Sequence, residues 1–319
     1  GIMSEKYISN ILFDDGLDKT SYLNNLPVIK YLKKVQRLDF SADVTFFVGE
    51  NGTGKSTLLE AIAVAFGFNA EGGSKNFTFS TNATHSELYK HIEVGKKGFA
   101  KDGFFLRAES LYNVATNIDD MDELPSFDAP IIEGYGGVSL HNQSHGESFL
   151  SIVQNRFFGN GLYILDEPEA ALSPMRLLTL IAEINQLVKK NSQFIIATHS
   201  PILMAFPNAE ILEFSKDGIK NVNYKDTEHF KVTKNFLENP EKMLHYLLKD
   251  NWKEKIMKNK LNFIASIFQL VIGILAIGAF VVVVASGENI GKWIITLILA
   301  IGFVFLGVMG IIDYKSNSK

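Results

Sequence analysis

The chain of 319 residues has no cysteine. A disulfide framework and a thiolate metal site are therefore excluded, and the composition suits a reducing compartment. Histidine is sparse and scattered. Of seven, only His141 and His145 stand four apart, without the glutamate of a zinc-protease pattern, so the sequence points to no metal other than Mg²⁺. No nuclease-like acidic constellation appears: Asp14-Asp15 and Asp119-Asp120 read as loops. Charge is absent from two long stretches, residues 261–285 and 293–312. A charged heptad run is missing from the short interval between Thr57 and Ser144, which excludes a long coiled-coil arm there. Gly1 and Ile2 precede Met3 and carry no structural weight, and no signal peptide is read ahead of the first motif.

The net charge of −4 conceals an asymmetry. From Lys253 onward, seven lysines (Lys253, Lys255, Lys258, Lys260, Lys292, Lys315, Lys319) face Glu254, Glu288 and Asp313, leaving +4. Residues 1–252 then hold 24 basic and 32 acidic side chains, leaving −8. Phosphate backbones are held by basic faces, so an acidic body argues against non-specific nucleic-acid binding, although a local basic groove stays open.

Gly49-Glu50-Asn51-Gly52-Thr53-Gly54-Lys55-Ser56-Thr57 fits G-x-x-x-x-G-K-[ST] at every fixed position. Backbone N–H groups of such a loop curl around phosphates, and the lysine reaches the β- and γ-phosphates. The serine hydroxyl is placed to hold Mg²⁺, and the positive end of the following helix completes the anion site. Val44 to Val48 reads as a buried strand entering the loop, and Ser56 to Phe66 as a helix leaving it. The segment Asn51, Gly52, Thr53, Gly54, Lys55, Ser56 and Thr57 is thus predicted to bind a nucleoside triphosphate.

Gly161 to Asp166 is a hydrophobic strand ending in two acids, Asp166-Glu167. Asp166 at its tip is suited to Mg²⁺, directly or through water, and Glu167 to polarising an attacking water. Gln193 to Ala197 repeats the buried strand and ends in Thr198-His199-Ser200, where His199 is placed to hydrogen-bond a γ-phosphate and sense its loss. Pro174 to Lys190 reads as an amphipathic helix between these strands, giving a right-handed strand–helix–strand unit.

With these motifs in this order, from about Val35 to Glu213, the chain resembles the ABC-class ATPases. The likeness is to the soluble branch containing the RecF and structural-maintenance-of-chromosomes proteins, and to small predicted bacterial AAA-family ATPases. The resemblance implies an α/β P-loop head with a mostly parallel sheet and a cofactor pair of ATP and Mg²⁺. It assigns Lys55, Glu167 and His199 to catalysis, and Ser56 and Asp166 to the metal. Ser144-His145-Gly146-Glu147-Ser148 takes the place of the ABC signature, departing from LSGGQ but keeping a hydroxyl and a glycine at a helix start. The same pentapeptide is also what a helix N-cap requires. The resemblance further implies that two heads sandwich two ATP molecules, Ser144 and Gly146 of one chain completing the site of the other. Glu169 to Ser173 would line the seam. Phe104 to Glu109 looks like a further strand, one that the family likeness places ahead of its Q-loop. No glutamine follows it, so Glu109 or Asn113 stands at the Q-loop position, and Arg107 is either a structural ion-pair residue or a nucleotide contact.

Residues 261–285 and 293–312 are each long enough to cross about 30 Å of hydrocarbon as a helix, and both are apolar all round. Ser286 to Lys292 is a polar turn, and Trp293 sits where an interfacial aromatic belongs. Lysines flank the outer ends of the pair, which predicts both termini and the head on the cytoplasmic side of an inner membrane. Asn262, Ser266 and Gln269 lie in the first span. They hydrogen-bond within the bundle, join helices across an oligomer, or line a pore. The predicted organisation is an ATPase domain at 1–252, a basic juxtamembrane helix at 253–260, a transmembrane hairpin at 261–312 and a cytosolic tail at 313–319. Strands at Ile211 to Phe214 and Ile219 to Tyr224 and helices at Phe230 to Leu237 and Pro240 to Lys260 are expected to lead into the hairpin. The function expected is a membrane-anchored ATPase, homodimeric or higher, that couples ATP to its own hairpin in a stress or anti-phage response. The alternatives are a transporter subunit, a membrane-tethered DNA ATPase, and a protein for which ATP is only a structural ligand.

Overall fold

A computed structural model of the chain describes residues 6–74, 86–123, 130–248, 252–287 and 290–317. It divides into two compact units, Gly1–Asn235 and Phe236–Lys319, a division that falls ahead of residue 252.

In the first unit the described residues form two sheets. The strands are β1 (Ile8–Phe13), β2 (Arg37–Asp39), β3 (Val44–Gly49), β4 (Ile92–Lys96), β5 (Asp102–Arg107), β6 (Gly161–Asp166), β7 (Gln193–Ala197), β8 (Glu210–Ser215) and β9 (Gly218–Asn221). The helices are α1 (Pro27–Val35), α2 (Lys55–Phe66), α3 (Leu111–Glu123), α4 (His145–Arg156), α5 (Pro174–Lys189), the single turn α6 (Pro201–Met204) and α7 (Glu228–Glu238), which runs across the division. The main sheet has the order β5-β6-β7-β3-β8-β9, parallel except for the β8–β9 hairpin. The smaller sheet, β2-β1-β4, is antiparallel.

Every residue of β3, β6 and β7 is buried. Parallel strands covered on both faces need apolar side chains in both alternating sets, which is why these segments read as continuous hydrophobic runs. Phe46, Phe104, Tyr163, Leu165, Phe194 and Ile196 enter one core with side chains of α3, α4 and α5. Phe47, Phe105, Leu162, Ile164 and Ile195 enter the other, against α1, α2 and the small sheet.

The strand register prepares the site. Arg107 lies opposite Asp166, Asp166 opposite Ala197, and Ala197 opposite Phe47. The carboxyl ends of β5, β6, β7 and β3 are therefore level, and side chains just past them meet at one edge. Ligands of open parallel sheets bind outside that edge.

Three expectations are corrected. Asp119 and Asp120 lie inside α3, not in a loop, because Leu111, Val114, Ala115 and Ile118 form a buried stripe at helical spacing. β9 ends at Asn221, and Tyr224 belongs to a 3₁₀ turn. The helix expected over Pro240 to Lys260 is not continuous. Its first part stops at Leu247, and residues 249–251 lie outside the described set.

In the second unit, α8 (Pro240–Leu247) precedes α9 (Trp252–Ala285) and α10 (Ile294–Asn317). Lys260–Ala285 and Ile294–Tyr314 are long and apolar enough to cross a membrane, and most of their side chains are not covered within the chain. The two helices meet at small residues. A Cβ on Gly307 would lie 2.7 Å from Leu270 N and 2.8 Å from Ser266 O, so the backbones touch where no side chain intervenes. Ser266 is buried at this contact, and its hydroxyl donates to Asn262 O at 2.7 Å within α9. Of the connecting turn, Glu288 and Asn289 lie outside the described residues.

Candidate nucleotide site

Gly49 closes β3 with φ +129°, and a Cβ there would stand 2.1 Å from the carbonyl oxygen of Phe214 on β8. Only glycine combines that backbone with that approach. The loop then turns through two more glycines at positive φ, Gly52 and Gly54, before α2 begins at Lys55. Thr53 is buried and donates from Oγ1 to Glu50 O at 2.8 Å, bracing the loop, while Asn51 is exposed and Thr57 half-buried on α2. Lys55 is buried. Its Nζ donates to the carbonyls of Gly49 and Glu50, both at 2.8 Å. Burial lowers its pKa, opposed by the carboxylates of Glu167, Asp166 and Glu169.

Ser56 Oγ donates to Asp166 Oδ1 at 3.0 Å, joining the start of α2 to the tip of β6. Burial pushes the Asp166 carboxyl up to about 6, against the pull of Arg107 and the Ser56 hydroxyl. Two oxygen donors thus stand together, and no cluster of three or more acidic, histidine or cysteine side chains surrounds them among the described residues. That set fits Mg²⁺, which takes few protein ligands and fills its octahedron with water and phosphate oxygens. The glycine loop and the Lys55 ammonium beside it fit a triphosphate in the same way.

Arg107 is a residue that the motifs left undecided. Its Nη1 pairs with Glu60 on α2 at 2.8 Å, and its Nε lies 3.4 Å from Asp166 Oδ2, buried and without a hydrogen bond. It therefore braces the acid from behind the sheet edge as an ion-pair residue. Glu109 is exposed at 4.0 Å from Arg107, and Asn113 donates to Glu71 at 3.4 Å.

Glu167 adopts left-handed backbone (φ 50°, ψ 52°), which is uncommon for a residue with a side chain, and its N–H donates to Ala197 O at 3.0 Å. Its carboxylate lies 3.7 Å from His199 Nε2. Burial and the Lys55 ammonium push the His199 pKa down, against the pull of the Glu167 carboxylate, and so favour the neutral ring. Two contacts around His199 escaped the sequence reading. Glu169, expected at a seam, turns inward: it accepts from Thr198 Oγ1 at 2.8 Å and from the His199 backbone N–H. His229, the second residue of α7, places Nε2 2.9 Å from His199 Nδ1. No motif spacing links residues this far apart in the chain, so only the fold brings them together.

Ser144 caps α4 in a full capping box with Glu147, and Arg176 of α5 bonds both, to Ser144 Oγ at 3.2 Å and Glu147 Oε1 at 3.0 Å. A Cβ on Gly146 would lie 2.6 Å from Arg176 Nη1 and 2.8 Å from Ala171 O. Within one chain, then, Gly146 is required by packing, and none of the described hydrogen bonds joins Ser144 or Gly146 to the Lys55 loop. The structure brings together Lys55, Ser56, Asp166, Glu167 and His199, and among the described residues no hydrogen bond or ion pair ties Ser144 or Gly146 to them.

A phosphate loop at a strand–helix junction, an acid at the tip of a parallel strand one place removed across β7, and a mostly parallel sheet define a P-loop NTPase head. The AAA domain family AAA_23 matches residues 26–271, and the chain belongs to that family. The ribose import ATP-binding protein RbsA of Jannaschia sp. (strain CCS1) is 26% identical over 58% of this chain and 38% of its own length. The xylose import ATP-binding protein XylG of Moorella thermoacetica (strain ATCC 39073 / JCM 9320) is 23% identical over 68% of this chain and 46% of its own. The chain thus spans less than half the length of these curated relatives. Among solved structures, cbiO1 from Clostridium perfringens aligns with TM-score 0.41 and 16% identity over 76% of this chain and 99% of that one. The SMC head domain from Thermotoga maritima aligns with TM-score 0.35 and 18% identity over 68% and 98%.

Proposed function

We propose that the protein is a membrane-anchored ATP hydrolase whose heads dimerise around ATP and act on the chain's own apolar hairpin. The observation that carries the hydrolase reading is the Ser56–Asp166 contact at 3.0 Å beside Lys55, with Glu167 just past the same strand and His199 just past the adjacent one. Ser56 and Asp166 would hold Mg²⁺, and Asn51 to Thr57 the phosphates. When bound, the metal supplies charge neutralisation for the phosphoryl oxygens. Lys55 stabilises negative charge, Glu167 accepts a proton from water, and His199 donates a hydrogen bond to the anion.

Ser144 and Gly146 would complete the site of a second copy. No described hydrogen bond ties them to the Lys55 loop within one chain, which supports a shared site, and heads of the ABC and SMC type typically dimerise. The lysines flanking α9 and α10 favour a head on the cytoplasmic side of an inner membrane with both termini beside it. Neither the site nor the relatives carries anything specific to defence, so the proposal stops at the ATPase and its hairpin.

Complementation tests the shared site. Lys55→Ala and Ser144→Arg chains should each be inactive, and mixing them should restore hydrolysis, because the mixed dimer holds one intact pair of half-sites. No recovery at any ratio, with subunit exchange verified, would refute sharing. The import proteins among the relatives favour a second reading, an ATPase subunit of a transporter. A multi-span partner that co-purifies stoichiometrically would select it.

A further inference from the structure

We infer that His229 is a positioning residue for His199, setting the tautomer of that ring and tying α7 to the nucleotide site. The inference rests on the hydrolase reading of the site. His199 Nδ1 and His229 Nε2 are 2.9 Å apart, while His199 Nε2 faces Glu167 Oε1 at 3.7 Å. The two outer nitrogens, His199 Nε2 and His229 Nδ1, are buried without a hydrogen-bond partner. Burial holds both rings toward the neutral form, and the Lys55 ammonium adds to the effect.

A neutral imidazole has one N–H and one lone pair, so the pair has two possible arrangements. In one, His199 donates from Nδ1. Its Nε2 lone pair then faces the Glu167 carboxylate, and His229 is left with a buried N–H that has no acceptor. In the other, His229 donates from Nε2. His199 then carries its proton on Nε2, directed at the carboxylate, and the group left unpaired on His229 is a lone pair. The second avoids the lone-pair repulsion and leaves the less costly orphan, an acceptor in place of a donor. It is also the only arrangement in which His199 can donate to a phosphate oxygen. His229 thereby sets the state that the site requires of its histidine.

The same hydrogen bond reaches the chain segment that leaves the head. The first turn of α7 is fastened there. Thr227 is fully buried, donates to Tyr224 O at 2.8 Å and accepts from Phe230 N at 3.3 Å, and the Tyr224 and Phe230 rings lie 4.7 Å apart. From Lys231 to Asn235 the helix is exposed, and it continues to Glu238. A shift of His199 on gaining or losing an anion is therefore felt at the anchored end of α7.

The test uses the full chain in detergent with Mg-ATP. His229→Ala should lower kcat about tenfold with KM for ATP changed less than about twofold. His229→Gln, which returns an N–H at the Nε2 position, should recover to within about threefold of the parent. Because the chain has no cysteine, Asn235→Cys gives one labelling site on α7. A fluorophore there should respond to ATP in the parent and in His229→Gln, and not in His229→Ala. Parental kcat in His229→Ala overturns the inference, as do equal losses in the Ala and Gln variants or a probe response that survives His229→Ala. Lys55→Ala, run in parallel, separates the two levels. Hydrolysis that persists without Lys55 refutes the site itself, whereas loss there with no effect at His229 refutes only this inference.

Discussion

Asp166→Asn should make the nucleotide-free protein more stable while abolishing hydrolysis. Asp166 is 5% exposed, and burial outweighs the attraction of Arg107 and the Ser56 hydrogen bond, moving its pKa from 3.8 to about 6. The folded state therefore binds its proton more tightly than the unfolded chain does. Between those values the folded state carries more protons, so stability falls as pH rises. The penalty is absent well below pH 4 and complete near pH 7, where the displacement amounts to about 3 kcal/mol. Asparagine keeps an acceptor for Ser56 and removes the charge. It gives up the attraction to Arg107, which keeps Glu60 at 2.8 Å. A net gain of about 1–2 kcal/mol at pH 7.5 follows once the buried amide is allowed for. For a unit of this size that raises Tm by about 3–6 °C. The assay is thermal unfolding of the full chain in detergent, with chelator and no nucleotide, at pH 7.5 and pH 5. The gain should fall by about 1.4 kcal/mol at pH 5, to near zero, because about half of the penalty is gone there while the amide cost stays. A lower Tm for Asp166→Asn at pH 7.5, or a gain that grows on acidification, would refute the reasoning.

The remaining predictions concern packing. Gly49→Ala should destabilise by more than about 2 kcal/mol in denaturant unfolding, since its Cβ meets Phe214 O at 2.1 Å on a left-handed backbone. Tyr163→Phe removes a hydroxyl that donates to Asp102 at 2.6 Å and accepts from Gly159 N at 3.0 Å. It should cost about 1–3 kcal/mol by the same measurement with ATP hydrolysis per folded head unchanged. Gly307→Leu should force α9 and α10 apart, because even a Cβ would reach Leu270 N within 2.7 Å. Distances between spin labels on the two helices should lengthen, and head ATPase should persist.

The chemistry-bearing residues of the head were legible because strands buried on both faces are continuous apolar runs, and the polar residue just past each run must lie at the sheet edge. Asp166 and His199 were found that way, and Lys55 by the fixed spacing of its glycine loop. The register that levels those edges leaves no local trace, so the Arg107–Glu60 pair and the His199–His229 contact were not readable. The place of Glu169 in the motif suggested a seam, and its hydrogen bond to Thr198, made through the turn at Pro168–Ala170, left no trace in the sequence. Asp119 and Asp120 were misread because two adjacent acids outweighed the apolar spacing around them. The small sheet of β1, β2 and β4 was not foreseen, since its strands are short and partly exposed, with β2 only three residues long.

The central claim is that ATP brings two heads together across the Ser144 face. It is tested most directly by the mass of the detergent-solubilised Glu167→Gln chain, measured by light scattering with the detergent contribution removed. The account predicts that ATP with Mg²⁺ doubles the protein mass, and that adding Ser144→Arg in the same chain abolishes the doubling. A mass indifferent to ATP, or one that doubles equally with Ser144→Arg, would contradict it.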